Sequence, residues 1–170
     1  MSTDDRPKHF QILTSQLWVE VFRLVGAVGA SKLIAESSLT LQATNSLSDL
    51  STLYAESEVS RLLVSIASIS RNLLDANAEY AAQQVLSLST PVGQLTDDLD
   101  NPSGQRDLYF REACNKILHT TQVQFDRQVV RATGQTFITS QVVLLGTYRG
   151  HDWRAEIDLI MFAEYAKWIL

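Results

Sequence analysis

Near residue 122 the spacing of apolar side chains changes from steps of three and four to alternation, so the chain must combine helices with strands. Before the change, Phe10, Leu13, Leu17, Val21, Leu24, Val25 and Val28 mark one face of a helix from His9 to about Ala35. Leu39 to Asn45 is rich in Ser and Thr, and Ser46 with Asp49 three residues on forms a capping pair that restarts a helix. Leu47, Leu50 and Tyr54 lead into Val59, Leu62, Leu63, Ile66, Ile69, Leu73 and Leu74, and a polar break at Glu56, Ser57 and Glu58 divides this stretch into two helices. Ser87 to Gly104, with Pro91, Gly93, Asp97, Asp98 and Asp100, reads as a long loop. Asn101 as N-cap and Pro102 at the first helical position then start a helix running to about Thr121.

After the change, Val123, Phe125 and Arg127 alternate with Gln124 and Asp126, and Gly134 marks a turn. Val142 to Tyr148 is a β-rich apolar run. Arg149-Gly150-His151-Asp152 is a turn, and Trp153, Ala155, Ile157 and Leu159 alternate with charged residues, which predicts a hairpin with Trp153, Ala155, Ile157 and Leu159 facing inward. Phe162, Tyr165, Ala166 and Ile169 return to a helical stripe. The expected fold is α+β and mainly α: a helical bundle over 9–121, a small antiparallel β meander near the C-terminus over 123–159 and a final helix over 160–170. A chain of 170 residues closes one sizeable core, so a single domain is expected.

A net charge of -5 argues against the broad basic surface that duplex DNA requires, while leaving room for a local phosphate site. Met1 to Lys8 carries Asp4, Asp5, Arg6 and Pro7 in place of the basic start and apolar run of a secretory signal. The apolar residues between Ile12 and Ala30 are interrupted by Ser15, Gln16, Glu20 and Arg23, which predicts no membrane span and a cytoplasmic protein. A single cysteine, Cys114, excludes an internal disulfide and a thiolate zinc cluster. His9, His119 and His151 lack ligand spacing, so neither metal nor cofactor is expected.

One segment carries chemistry. At 100° per residue, the helix from Leu108 to Thr121 gathers Phe110, Cys114, Ile117, Leu118 and Thr121 on one side, while Glu112 and Lys116 take the solvent face. Arg111, Asn115 and His119, at i, i+4 and i+8, form a polar row at the margin of the apolar arc. A guanidinium, an amide and an imidazole there require partners. One account pairs Arg111 with a carboxylate such as Asp75 or Asp107 and uses His119 to close the helix C-terminus. The other makes Arg111 a phosphate-binding fork and His119 a proton-transfer group.

The run Arg111-Glu-Ala-Cys-Asn115-Lys-Ile-Leu-His119 resembles the signature helix of HEPN-domain proteins, an arginine and a histidine with some four to six residues between them. The interval here is one residue longer than that pattern, and Glu112 stands where the family often has Asn or Asp. The resemblance covers about ten residues directly. It implies a helical homodimer bringing two such helices over a metal-independent site that cleaves single-stranded RNA. Arg111 and His119 would be catalytic and Asn115 would orient the phosphate or His119. It also implies a toxin or phage-defence setting with a possible antitoxin. A non-catalytic module for dimerisation or a protein partner is the alternative.

Other polar groups have simpler readings. Arg71-Asn72 resembles a second polar pair, and Arg61 and Arg71 could meet Arg111 in space, but a solvated helix face paired with Glu58 or Asp75 is the simpler reading. Asp97, Asp98 and Asp100 lack the spaced donors of an EF-hand. His151-Asp152 lies in a turn without a nucleophile motif. Trp18, Trp153 and Trp168 read as core or interface anchors, Cys114 as a small core residue, and Gly26 and Gly29 as close-packing positions in a helix.

Overall fold

Long 3.6-residue apolar periodicity produces long helices, and a computed structural model of the chain begins with two. They are α1 (Lys8–Ser37) and α2 (Asn45–Ala76). The structure describes residues 8–37, 45–76, 90–100 and 104–169, with side chains from Thr14 in α1 and from Leu53 in α2. The Thr/Ser-rich link, the Ser46/Asp49 side chains, Val85–Leu86 and Asn101-Pro102 lie outside those described. Leu17, Leu24, Leu62, Leu63 and Ile66 are fully buried, or nearly so, and belong to one apolar core cluster. The polar break at Glu56–Glu58 does not divide α2. Glu58 pairs with Arg61 one turn on at 2.8 Å, and Glu56 receives Arg127 Nε at 2.7 Å. Charges that look like an interruption are the solvent-side partners of a continuous helix.

The expectation of a helical bundle with a small C-terminal meander is corrected. The described residues form a five-stranded antiparallel sheet in the order β2-β1-β5-β4-β3, from β1 (Gly93–Thr96), β2 (Gln105–Leu108), β3 (Gln122–Val129), β4 (Thr136–Tyr148) and β5 (His151–Asp158). Two strands come from the segment read as loop and from the start of the expected Asn101–Thr121 helix, which is shorter, α3 (Phe110–Leu118). The physical reason is that Gly-Gln-Leu-Thr and Gln-Arg-Asp-Leu are too short and polar to show alternation. Their strand character comes from pairing with β5, where Leu95 lies opposite Ala155 and Gly93 opposite Ile157. A Cβ on Gly93 would lie 1.8 Å from the backbone oxygen of Glu156, so only glycine permits that approach.

The hairpin from β4 to β5 forms with the two-residue turn Arg149-Gly150, both at positive φ (52° and 85°), as a tight hairpin matched to strand twist demands. Val142, Leu144, Ala155, Ile157 and Leu95 point to one face and are fully buried. The helices cover that face. The last helix, α4 (Leu159–Trp168), follows β5 directly, with Asp158 as N-cap accepting from Ile160 N–H at 2.9 Å and Met161 N–H at 3.0 Å. Phe162 of α4 stacks on Phe110 of α3 at 4.9 Å between ring centroids. Among the described residues, no helix is long and apolar enough to cross a membrane.

Candidate functional site

Helix α3 is placed by its buried side, Phe110, Ala113, Cys114 and Ile117. The opposite side at helical spacing is Glu112, Asn115, Lys116 and His119, positions i, i+3, i+4 and i+7. The end of the helix is tied to β4, because Thr120 Oγ1 donates to Leu145 O at 2.8 Å and Thr121 N–H donates to the same oxygen at 2.9 Å. His119 closes the helix, its backbone N–H donating to Asn115 O at 3.1 Å. That anchoring sets the polar side of α3 beside the β4–β5 hairpin.

A cleft of about 640 Å³ opens between them. Asn115, Lys116 and His119 line it from α3, Arg71 from α2, and Thr147, Tyr148 and Trp153 from the hairpin, with Glu112 at its margin. Trp153 sits opposite Gly146 in register, and a Cβ on Gly146 would lie 2.3 Å from Trp153 Cζ2 and 3.1 Å from His119 O. The missing side chain thus leaves the space in which the indole lies. Over that ring stands Lys116, its Nζ 4.4 Å from the centroid, a cation–π contact.

The electrostatics are uneven. Burial pulls the Lys116 ammonium below the ordinary lysine value of 10.5, against the opposing pull of the Asp97 and Glu112 charges. No ion pair holds Lys116, and no hydrogen bond or ion pair holds the exposed imidazole of His119, among the described residues. Glu112 is taken up by Arg106 at 2.6 Å, and Arg106 also binds Asp97 at 2.6 Å. Arg71 binds Asp75 at 2.8 Å and donates through Nη1 to Asn115 Oδ1, which fixes the amide in place.

Of the three residues singled out from the sequence, Asn115 and His119 line the cleft together and Arg111 does not. Arg111 pairs with Asp75 at 2.7 Å and its side chain is half exposed. Asp75 therefore bridges two guanidinium groups, Arg71 and Arg111, and it is Arg71 that reaches the cleft. Lys116, Tyr148 and Trp153 escape the reading of Arg111, Asn115 and His119 as one row, and Arg71, read as a surface group paired with Asp75, keeps that pair and also reaches Asn115. The signal that finds Lys116 is the set 112, 115, 116, 119, centred nearly opposite the buried arc, whereas Arg111 lies at its edge.

The remaining candidates have partners of their own. Asp98 lies 3.2 Å from His151 Nδ1, and Asp152 accepts from Thr147 Oγ1 at 2.7 Å. Arg61 binds Glu58 and the buried Glu20. Cys114 is buried, and burial pushes its thiol far above the usual range, so it is a core residue. Trp153 is core, while Trp18 and Trp168 are about half exposed. Comparison with family models, with curated proteins and with solved structures gives no match for this chain.

Proposed function

We propose that the cleft binds the phosphodiester backbone of single-stranded RNA and that the chain cleaves it without metal, in the manner implied by the resemblance of α3 to the HEPN signature helix. The observation that carries this reading is the grouping of Lys116, Asn115 and His119 on one helix side. There, among the described residues, the ammonium has no carboxylate of its own and the imidazole no partner that would keep it from a ligand. Arg71 takes the place that the sequence pattern gives to Arg111. Lys116 and the Arg71-held amide of Asn115 bind the non-bridging phosphate oxygens. The exposed ring of Tyr148 offers a face on which a base stacks. His119 takes the proton as the ribose 2′-oxygen attacks phosphorus. The bond to the 5′-oxygen breaks, and the leaving oxygen is protonated from solvent, giving a 2′,3′-cyclic phosphate.

A second reading, a non-catalytic module that dimerises or binds a protein partner such as an antitoxin, is favoured by one finding. Arg111, the arginine of the signature, is neutralised inside its own subunit by Asp75. The two separate in one experiment on a fluorescent single-stranded RNA in the presence of EDTA, following anisotropy for binding and a gel for cleavage. On the first reading His119→Ala abolishes cleavage with binding kept, Lys116→Ala weakens binding about tenfold through loss of a charged contact, and Arg111→Ala changes neither. Binding without cleavage moves the chain to the second reading. An RNA that does not bind at all sinks the first.

A further inference from the structure

Helix α1 is apolar on both sides. Its inward side places Leu17, Leu24 and Ala35 in the core. Its outward side carries Trp18, Val19, Phe22, Val25 and Leu33, of which Phe22 is 79% and Leu33 67% exposed. Arg23 and Lys32 are the exposed charges between Ser15 and Leu33, since Glu20 is buried. Within this stripe stand Gly26 and Gly29, poor helix formers in mid-helix. A Cβ at either position would meet nothing within 4 Å, so packing among the described residues does not require them.

We infer that this face is the interface of a two-fold symmetric dimer in which α1 packs antiparallel on α1 of a second copy. The stripe is self-complementary about its midpoint. A two-fold axis between residues 25 and 26 sets Val25 against Gly26, Phe22 against Gly29 and Trp18 against Leu33, each bulky group over a small or flat one. An isologous interface requires this of a single surface. Parallel pairing instead stacks Phe22 on Phe22, leaves the glycines facing each other across a void and opposes Arg23 to Arg23. The area also suffices. With aromatic side chains of roughly 150–250 Å² each, Phe22 and Trp18 offer about 250 Å² at their exposures, and the three aliphatic residues bring the patch to roughly 500–600 Å². Two copies then bury about 1,000–1,200 Å² in total, the threshold of a specific interface. This dimer differs from the one the signature helix implies, because the apolar side of α3 is spent in the core. It does not rest on the RNA reading, whose cleft lies on α3 and the hairpin.

The test is the mass of the full chain by light scattering, with single cysteines added to a protein whose own Cys114 is buried. The mass is expected at twice 19.0 kDa. Phe22→Glu returns it to the monomer value with the circular dichroism spectrum unchanged. Under oxidation Val25→Cys cross-links efficiently beside the axis. Trp18→Cys does not, since its two copies lie roughly 22 Å apart along the helices. A monomeric parent chain, as when another segment of the same chain covers this face, overturns the inference. So does a Phe22→Glu variant that stays dimeric, or equal cross-linking at residues 18 and 25.

Discussion

Replacing Gly146 by alanine tests whether the floor of the cleft is built as described. The added Cβ falls 2.3 Å from Trp153 Cζ2 and 2.7 Å from Cε2, where apolar carbons settle at about 3.5–4.0 Å. The indole must therefore move by about 1 Å, and it is 2% exposed in a closely packed core. Overpacking of this kind costs about 1–3 kcal/mol. Taking about 2 kcal/mol, a chain of this length melts about 4–8 °C lower. Urea titration followed by tryptophan emission reads the loss, and the change in the folded-state spectrum belongs to Trp153, because it is the tryptophan that the added Cβ meets. The displaced ring carries Lys116 with it, so on the proposed RNA reading affinity for the strand falls alongside stability. Gly104→Ala, where a Cβ meets open space, is the control and should be neutral. A Gly146→Ala protein within about 0.5 kcal/mol of the parent refutes the packing argument, since only unconstrained surface positions behave that way.

Three further outcomes are expected. Ser70 is fully buried in α2 and its hydroxyl has no partner among the described residues, so Ser70→Ala raises stability by about 1–3 kcal/mol in denaturant titration; a loss would show that the hydroxyl has a partner. Asp158→Ala removes the N-cap of α4 and an acceptor for Ser140 and Gln141, lowering stability by about 1–2 kcal/mol, with most of it recovered in Asp158→Asn. Burial raises the Cys114 thiol pKa, against the smaller opposing effect of the Arg71 charge, so a thiol reagent at pH 8 reacts only as the protein unfolds. The sign of its pH dependence follows from that shift: the folded state keeps a proton that the unfolded thiol loses near 9.0. This contribution is therefore full below pH 9 and falls as pH rises above it, a slope that Cys114→Ala abolishes.

Much of the helical part was legible along the chain because each long helix carries its own apolar stripe, and the stripe needs no partner to be recognised. The β4–β5 hairpin was equally legible from the alternation between Trp153 and Ile157, although the turn read over Arg149 to Asp152 closes at Arg149-Gly150 and leaves His151 and Asp152 paired in β5. The first two strands were not. Gln105 to Leu108 has three exposed residues and one buried, and its conformation follows from β1 beside it, which in turn follows from Gly93 lying against Glu156. The polar break in α2 misled because ion pairs on a helix surface resemble a loop in composition.

The candidate site divides in the same way. The sequence by itself determined that Asn115 and His119 share a helix side away from Cys114 and Ile117, because helical geometry fixes angles between residues a few positions apart. Only the tertiary structure decided which guanidinium joins them. Asp75 lies on another helix and draws Arg111 aside while holding Arg71 against Asn115, a choice between two like charges that depends on distances across helix packing. It likewise brought Trp153 and Tyr148 to Lys116, residues some thirty positions apart, through strand register and the space above Gly146.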